Sequence, residues 1–398
     1  MSTDEPELRF PLPAPTPFVP SPELARLRAE CPVAAVRLPT GSRAWLVTRY
    51  DDNRLLLADR RFSRAAAARA EAPRARPIPL DATAITVMDP PEHTRLRAAV
   101  TRAFTQQRIG ALRGFVTDAA ESFVAAMLAA GPPADLVAAF ARPLPLAVIG
   151  ALLGVPAAGS DRFQAWSDAY LNLSGRDPAE VLDAVAALKG YLGDLVAQRR
   201  VWPEDDLLSA LAANQAQGRL TDDEVVTFAV TLLVAGYETV AAHIANSVLV
   251  LLRHPDQLAL LRSRPELLPD AVEELLRYTA ISPAGGTIRV ATEDVVLGEV
   301  TVRAGEAVLP AITSANRDPA VFADPDSFDV RRGRTPHLAF GHGIHHCLGA
   351  SLARLELEVA FGTLLRLVPG LRLAVEEPTL SWDLGKIIRG PAHLPVTW

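Results

Sequence analysis

The stretch from Val225 to Leu252 limits what this chain can fold into more than any other segment. It stays apolar for longer than the ~20 residues that cross a bilayer, yet Glu238 lies near its middle, with His243 and Asn246 a few residues on. Placing that carboxylate in lipid would cost on the order of 2.5–3.5 kcal/mol. A helix apolar on nearly all sides is equally expected through the middle of a large soluble protein. Thr221, followed by Glu224, forms a capping box that starts it. The segment is read as a buried helix, and no membrane partner is expected.

At 398 residues, 49% of them hydrophobic, the chain is long for one core. No Gly/Ser linker, charge block or repeat divides it, so one domain is expected over residues 1–398. Prolines gathered in residues 1–20 predict an extended, poorly ordered arm. A net charge of −6 and the lack of a basic stripe argue against nucleic acid. With Asp4, Glu5 and Glu7 at the start and no hydrophobic core there, no signal peptide is expected. Two cysteines, Cys31 and Cys347, give no disulfide framework and fit a reducing, cytoplasmic setting. Periodicity predicts helices over residues 92–103, 109–130, 180–200, 221–253 and 270–278, with short β-like runs at 34–38, 44–48, 287–291 and 295–302. The fold class is mainly α, with a small β portion near the N-terminus.

The chemistry gathers at Phe340-Gly341-His342-Gly343-Ile344-His345-His346-Cys347-Leu348-Gly349. Its glycines allow close backbone approach, and a thiol just before a helix start favours thiolate, the form that ligates metal. A buried structural cysteine is the plain alternative. The third glycine of a dinucleotide fingerprint is missing, since His346 stands there. Zinc on His342, His345, His346 and Cys347 lacks the usual second ligand pair, and a cysteine nucleophile lacks an oxyanion site. Haem with an axial thiolate remains. Elsewhere, Asp89 is read as a helix N-cap that puts His93 and Arg97 on one face, where paired donors suit a carboxylate. Gly236 inside the long apolar helix is read as opening space for a flat or small ligand, beside the acid–alcohol pair Glu238 and Thr239. Glu274 and Arg277 form an i, i+3 pair that alone says nothing.

In this order, these runs resemble the cytochrome P450 haem-thiolate monooxygenases of the soluble bacterial type. Phe340, Gly343, His345, Cys347 and Gly349 match the cysteine signature, Ala235-Gly236-x-Glu238-Thr239 the distal-helix motif, and Glu274/Arg277 the E-x-x-R pair. The resemblance implies haem b with Cys347 as the iron ligand, and His93, Arg97, Arg289 and His345 around the propionates. It makes Glu238 and Thr239 the proton-delivering pair, gives Gly236 as room for dioxygen, and makes Glu274 and Arg277 structural. Substrate contacts are expected from Leu232, Leu233, Ala284, Gly285, Ile387 and Ile388, with the small residues Ala284, Gly285 and Gly286 suggesting a roomy apolar pocket. Tyr237 and Val240 depart from the commoner distal residues, and Ser327 replaces an arginine that often joins the E-x-x-R pair. The implied activity is hydroxylation or epoxidation of a hydrophobic small molecule in secondary metabolism, with O2 and with electrons from NAD(P)H through a separate ferredoxin and reductase. Rival readings are oxidative ring formation or C–C coupling, a haem-binding sensor that never turns over, and a zinc hydrolase.

Overall fold

The computed structural model describes residues 8–69, 71–74, 82–101, 104–156, 162, 165–166, 177–382, 384 and 388–398. In chain order its strands are β1 (Leu8–Arg9), β2 (Val33–Arg37), β3 (Arg43–Val47), β4 (Phe62–Ser63), β5 (Ala134–Asp135), β6 (Arg289–Ala291), β7 (Val295–Leu297), β8 (Val300–Val302), β9 (Ala307–Pro310), β10 (Arg372–Leu373) and β11 (Pro395–Thr397). The chain packs as two compact units. One holds Met1–Pro90, Leu276–Phe328 and Arg334–Cys347; the other holds Pro91–Leu275, Asp329–Gly333 and Leu348–Trp398.

The first unit is built on a mixed sheet of order β1-β2-β3-β9-β6-β4, with β7 and β8 as a separate hairpin. β-branched and aliphatic side chains make the strands: Val36, Leu46, Val290 and Leu309 meet Leu27 of the helix Pro22–Glu30 in one core cluster. Two of the six strands, β6 and β9, therefore come from residues 289–310 and four from the N-terminal part, so the β portion is not confined to the start of the chain. β9 lies on a short run that periodicity alone did not single out. The expected disordered arm is also corrected from residue 8 onward. Leu8–Arg9 pairs parallel with β2, and Leu12 and Phe18 are buried.

The second unit is helical around Asp222–Arg253. Thr221 caps it as expected: Thr221 Oγ1 accepts the Glu224 N–H at 3.2 Å, and Glu224 Oε2 accepts the Thr221 N–H at 2.8 Å. This helix is long and apolar enough to cross a membrane, but most of it is buried inside the protein. Its burial relents along one stripe, Leu232, Ala235, Gly236 and Thr239, spaced as one helical face. The strands β10, β11 and β5 form a small antiparallel sheet in the same unit.

Candidate functional site

The cysteine loop, in the first unit, is held by its own backbone. Cys347 N–H donates to the Phe340 carbonyl at 2.9 Å, His346 N–H to that of Gly343 at 3.0 Å, and Gly341 N–H to that of Leu338 at 2.8 Å. A Cβ on Gly343 would stand 2.6 Å from the Leu57 carbonyl oxygen and 3.0 Å from the Ala58 Cα. Only glycine lets the loop rest on the helix Tyr50–Ala58. The result is an exposed Cys347 thiol, with His345 half-buried in the turn Gly343–His345 and the Phe340 ring 6.4 Å from that of His346. Burial and the nearby Arg54 charge hold His342 below the usual histidine range. Among the described residues no group of three His, Cys, Asp or Glu side chains is arranged to hold a metal ion, so the zinc reading has no ligand set.

Arg289, on β6 of the same unit, is 2% exposed, and its Nη1 is buried without a hydrogen-bond partner. Burial pushes its pKa down to about 10. The Asp89 carboxylate does not cap the helix Glu92–Thr101. Its Oδ2 accepts Ser63 Oγ–H at 2.5 Å and its Oδ1 the Arg64 N–H at 3.0 Å, where it supports the short helix Arg64–Ala67. The loop residues expected to mark a roomy pocket are small for another reason. A Cβ on Gly286 would fall 2.4 Å from the Pro310 carbonyl oxygen, and one on Gly285 3.0 Å from Ile312 Cβ, while Ala284 is buried in the core. These residues let two backbone segments touch instead of opening space.

In the second unit, His93 is buried and Arg97 half-buried one turn further along Glu92–Thr101. On the long helix Thr239 Oγ1 donates to the Ala235 carbonyl at 2.6 Å, which fixes the hydroxyl on the half-exposed stripe. Glu238, about 100° around the helix, is buried instead. It lines a cavity of about 30 Å³ with Val137, Arg142, Ala241, Ile388 and Gly390, enough for one or two waters. Gly236 does not open a gap on its Cβ side, because a Cβ there would lie 2.8 Å from Ile149 Cδ1. The glycine lets the helix Pro143–Leu153 approach. Leu232 is half-buried and Leu233 fully buried; Ile387 lies outside the described residues.

Glu274 and Arg277 each find partners that sequence spacing did not reveal. In the second unit Glu274, 0% exposed, accepts Arg332 Nε–H at 3.0 Å and the Asp329 N–H at 3.1 Å through Oε1. In the first, Arg277 donates to the carbonyls of Asn316 (2.8 Å), Pro325 (2.8 Å) and Ser327 (3.2 Å). Position 327 thus contributes its backbone, which any residue carries, and Arg332 supplies the third charge. Nothing local in the sequence links Arg332 to Glu274.

A family model described as Cytochrome P450 matches residues 173–367. Nocardicin C N-oxygenase of Nocardia uniformis subsp. tsuyamanensis is 50% identical over 378 residues, 95% of each chain. The chain belongs to the cytochrome P450 family and is a haem-iron monooxygenase, as its cysteine loop foreshadows. Mycinamicin IV hydroxylase/epoxidase of Micromonospora griseorubida is 48% identical over 368 residues, 92% of each chain. Among solved structures, the LnmA cytochrome P450 hydroxylase from the leinamycin biosynthetic pathway of Streptomyces atroolivaceus superposes with a TM-score of 0.91. That pair is 46% identical and covers 98% of this chain and 100% of that one. The residues present fit a haem: an exposed thiol on a rigid loop can ligate iron, and the buried, unpartnered Arg289 nitrogen calls for an anion such as a propionate.

Proposed function

We propose that this cytochrome P450 hydroxylates or epoxidises a hydrophobic secondary metabolite, with Cys347 as the thiolate ligand of haem b iron. The observation that carries the reading is the exposed Cys347 thiol on a loop held by backbone hydrogen bonds and by the close seat of Gly343 on the Leu57 backbone. Residues 1–398 are read as one functional domain, consistent with relatives that align over nearly their full length.

Haem would supply, when bound, the activation of dioxygen and the insertion of one of its oxygen atoms into a C–H or C=C bond, the other leaving as water. Arg289, His93, Arg97 and His345 are assigned to its carboxylates, which need charged donors once out of water. Thr239, held by the Ala235 carbonyl, keeps its oxygen lone pairs toward the half-exposed stripe and accepts and passes on a proton there. Glu238 receives protons from water in its small cavity and hands them toward that stripe. The stripe through Leu232 gives the substrate an apolar wall, and Ile388 borders the acid's cavity; Ala284 and Gly285 shape their loop from within. Electrons are assigned to NAD(P)H through a separate ferredoxin and reductase, since the chain has two cysteines and no cluster motif. The setting assigned is the cytoplasm. Steady turnover of a polyketide, macrolide, terpenoid or aromatic panel with surrogate redox partners tests the reading. A substrate-induced high-spin shift followed by oxygenated product is expected; haem bound without turnover of any member would favour a sensor.

A further inference from the structure

A buried cation requires an anion, and the first unit gathers two cations at one place. β4 pairs antiparallel with β6 in the register Phe62↔Ala291 and Ser63↔Val290. Carried one residue further, that register brings position 64 level with Arg289. Arg64 is the first residue of the helix Arg64–Ala67, which packs on β6. Arg64 is 9% exposed and Arg289 2%. Like charges held close together repel, and more so out of water. Asp89 is the acid near both, but one carboxylate cannot neutralise two guanidinium groups, and its oxygens already serve Ser63 Oγ and the Arg64 backbone. Arg64 Nε and Arg289 Nη1 are both buried without a hydrogen-bond partner. Burial, then the Arg289 charge, pushes the Arg64 pKa down to about 9, still charged at neutral pH. The cluster has room in its charge balance for one more negative group.

We propose that Arg64 is a second guanidinium for the porphyrin carboxylate assigned to Arg289, so that the helix start that follows β4 and the strand β6 each present one cation to the same group. The inference rests on the haem reading above. A single carboxylate matches both the surplus charge and the planar, forked geometry of guanidinium donors. Arg64 acts as a positioning residue: it fixes the cofactor and takes no part in oxygen chemistry. A carboxylate on the substrate would satisfy the same chemistry, and the test separates the two.

The experiment compares wild type with Arg64→Met, and with Arg64→Gln should the methionine variant fold poorly. Release of iron protoporphyrin IX from the holoprotein to excess apomyoglobin is followed. The same measurement is repeated after reconstitution with the iron porphyrin dimethyl ester, which carries no carboxylate. Loss of a charge-assisted bond predicts release of the free-acid haem about 10- to 100-fold faster from the variant, with the ester released equally fast from both proteins. The apoprotein of the variant should unfold at a higher temperature than wild-type apoprotein, because a surplus buried charge is gone; a purely structural role predicts the opposite. Unchanged release of free-acid haem, or equal acceleration for the ester, overturns the proposal. Unchanged haem release with weakened binding of a carboxylate-bearing substrate overturns it in favour of a substrate site. If wild type takes up no haem with a thiolate spectrum, the earlier reading fails instead.

Discussion

Three glycines of the cysteine loop should respond to the same substitution in three different ways. At Gly343 an added methyl meets fixed backbone: 2.6 Å to the Leu57 carbonyl oxygen and 3.0 Å to the Ala58 Cα, in a residue at φ +73°. The left-handed conformation costs a non-glycine residue about 1–2 kcal/mol, and overpacking against atoms that cannot rotate away adds about 1–3 kcal/mol. Gly343→Ala should therefore cost about 2–5 kcal/mol. Gly341, at φ +71° with its nearest neighbour at 3.9 Å, carries the conformational cost alone, about 1–2 kcal/mol. Gly349 caps the helix Ala350–Leu367 in open space at φ −85°, so alanine there should cost under about 1 kcal/mol, the loss of a good capping residue. The assay is thermal unfolding of the three purified variants, with the fraction of protein that keeps a thiolate-type haem spectrum. The expected order of damage is Gly343, then Gly341, then Gly349. A Gly343→Ala protein as stable and as fully loaded as Gly349→Ala would refute the claim that the loop seats on the Tyr50–Ala58 backbone.

Arg332→Ala removes the charged donor that Glu274 Oε1 accepts at a fully buried site and should cost about 3–5 kcal/mol. Replacing both residues with methionine should restore most of that loss, and chemical unfolding of the single and double variants checks it. Thr239→Ala should slow product formation on the order of 10²-fold while leaving the substrate-induced spectral shift in place; an equal loss of both would mean the hydroxyl matters for binding. Burial holds the Glu356 carboxyl, 1% exposed, well above its ordinary value of 4.5. The folded chain then keeps a proton that the unfolded chain releases as pH rises past 4.5, so Glu356 subtracts stability at neutral pH and not below that point. Glu356→Gln should therefore unfold at a higher temperature than wild type at pH 7, with the gap closing toward pH 4.5; a gap independent of pH would count against this.

What the sequence disclosed was local or strongly periodic. The cysteine loop, the capping box of Thr221 and Glu224, and the turn of helix between His93 and Arg97 depend on residues within a few positions of one another. The structure carries each as expected. What it concealed depends on partners distant in the chain. Gly236, Gly285 and Gly286 look in sequence like room for a ligand, yet each vacated position is taken by Ile149, Ile312 or Pro310. A missing side chain cannot say whether its space stays empty. Asp89 has the right type and place for an N-cap but instead accepts the first N–H of the helix Arg64–Ala67, whose cap is Ser63. Arg332 and Arg64 gave no signal, because one meets Glu274 across 58 residues and the other draws level with Arg289 only through strand register.

The central claim is the bond from the Cys347 sulfur to haem iron, and the ferrous carbonyl spectrum of freshly purified holoprotein tests it most directly. The account predicts the strongly red-shifted Soret band of a thiolate-ligated haem in wild type and its replacement by a histidine-type band in Cys347→His. A wild-type band of the histidine type in undamaged protein, or a thiolate-type band that survives the substitution, would contradict it.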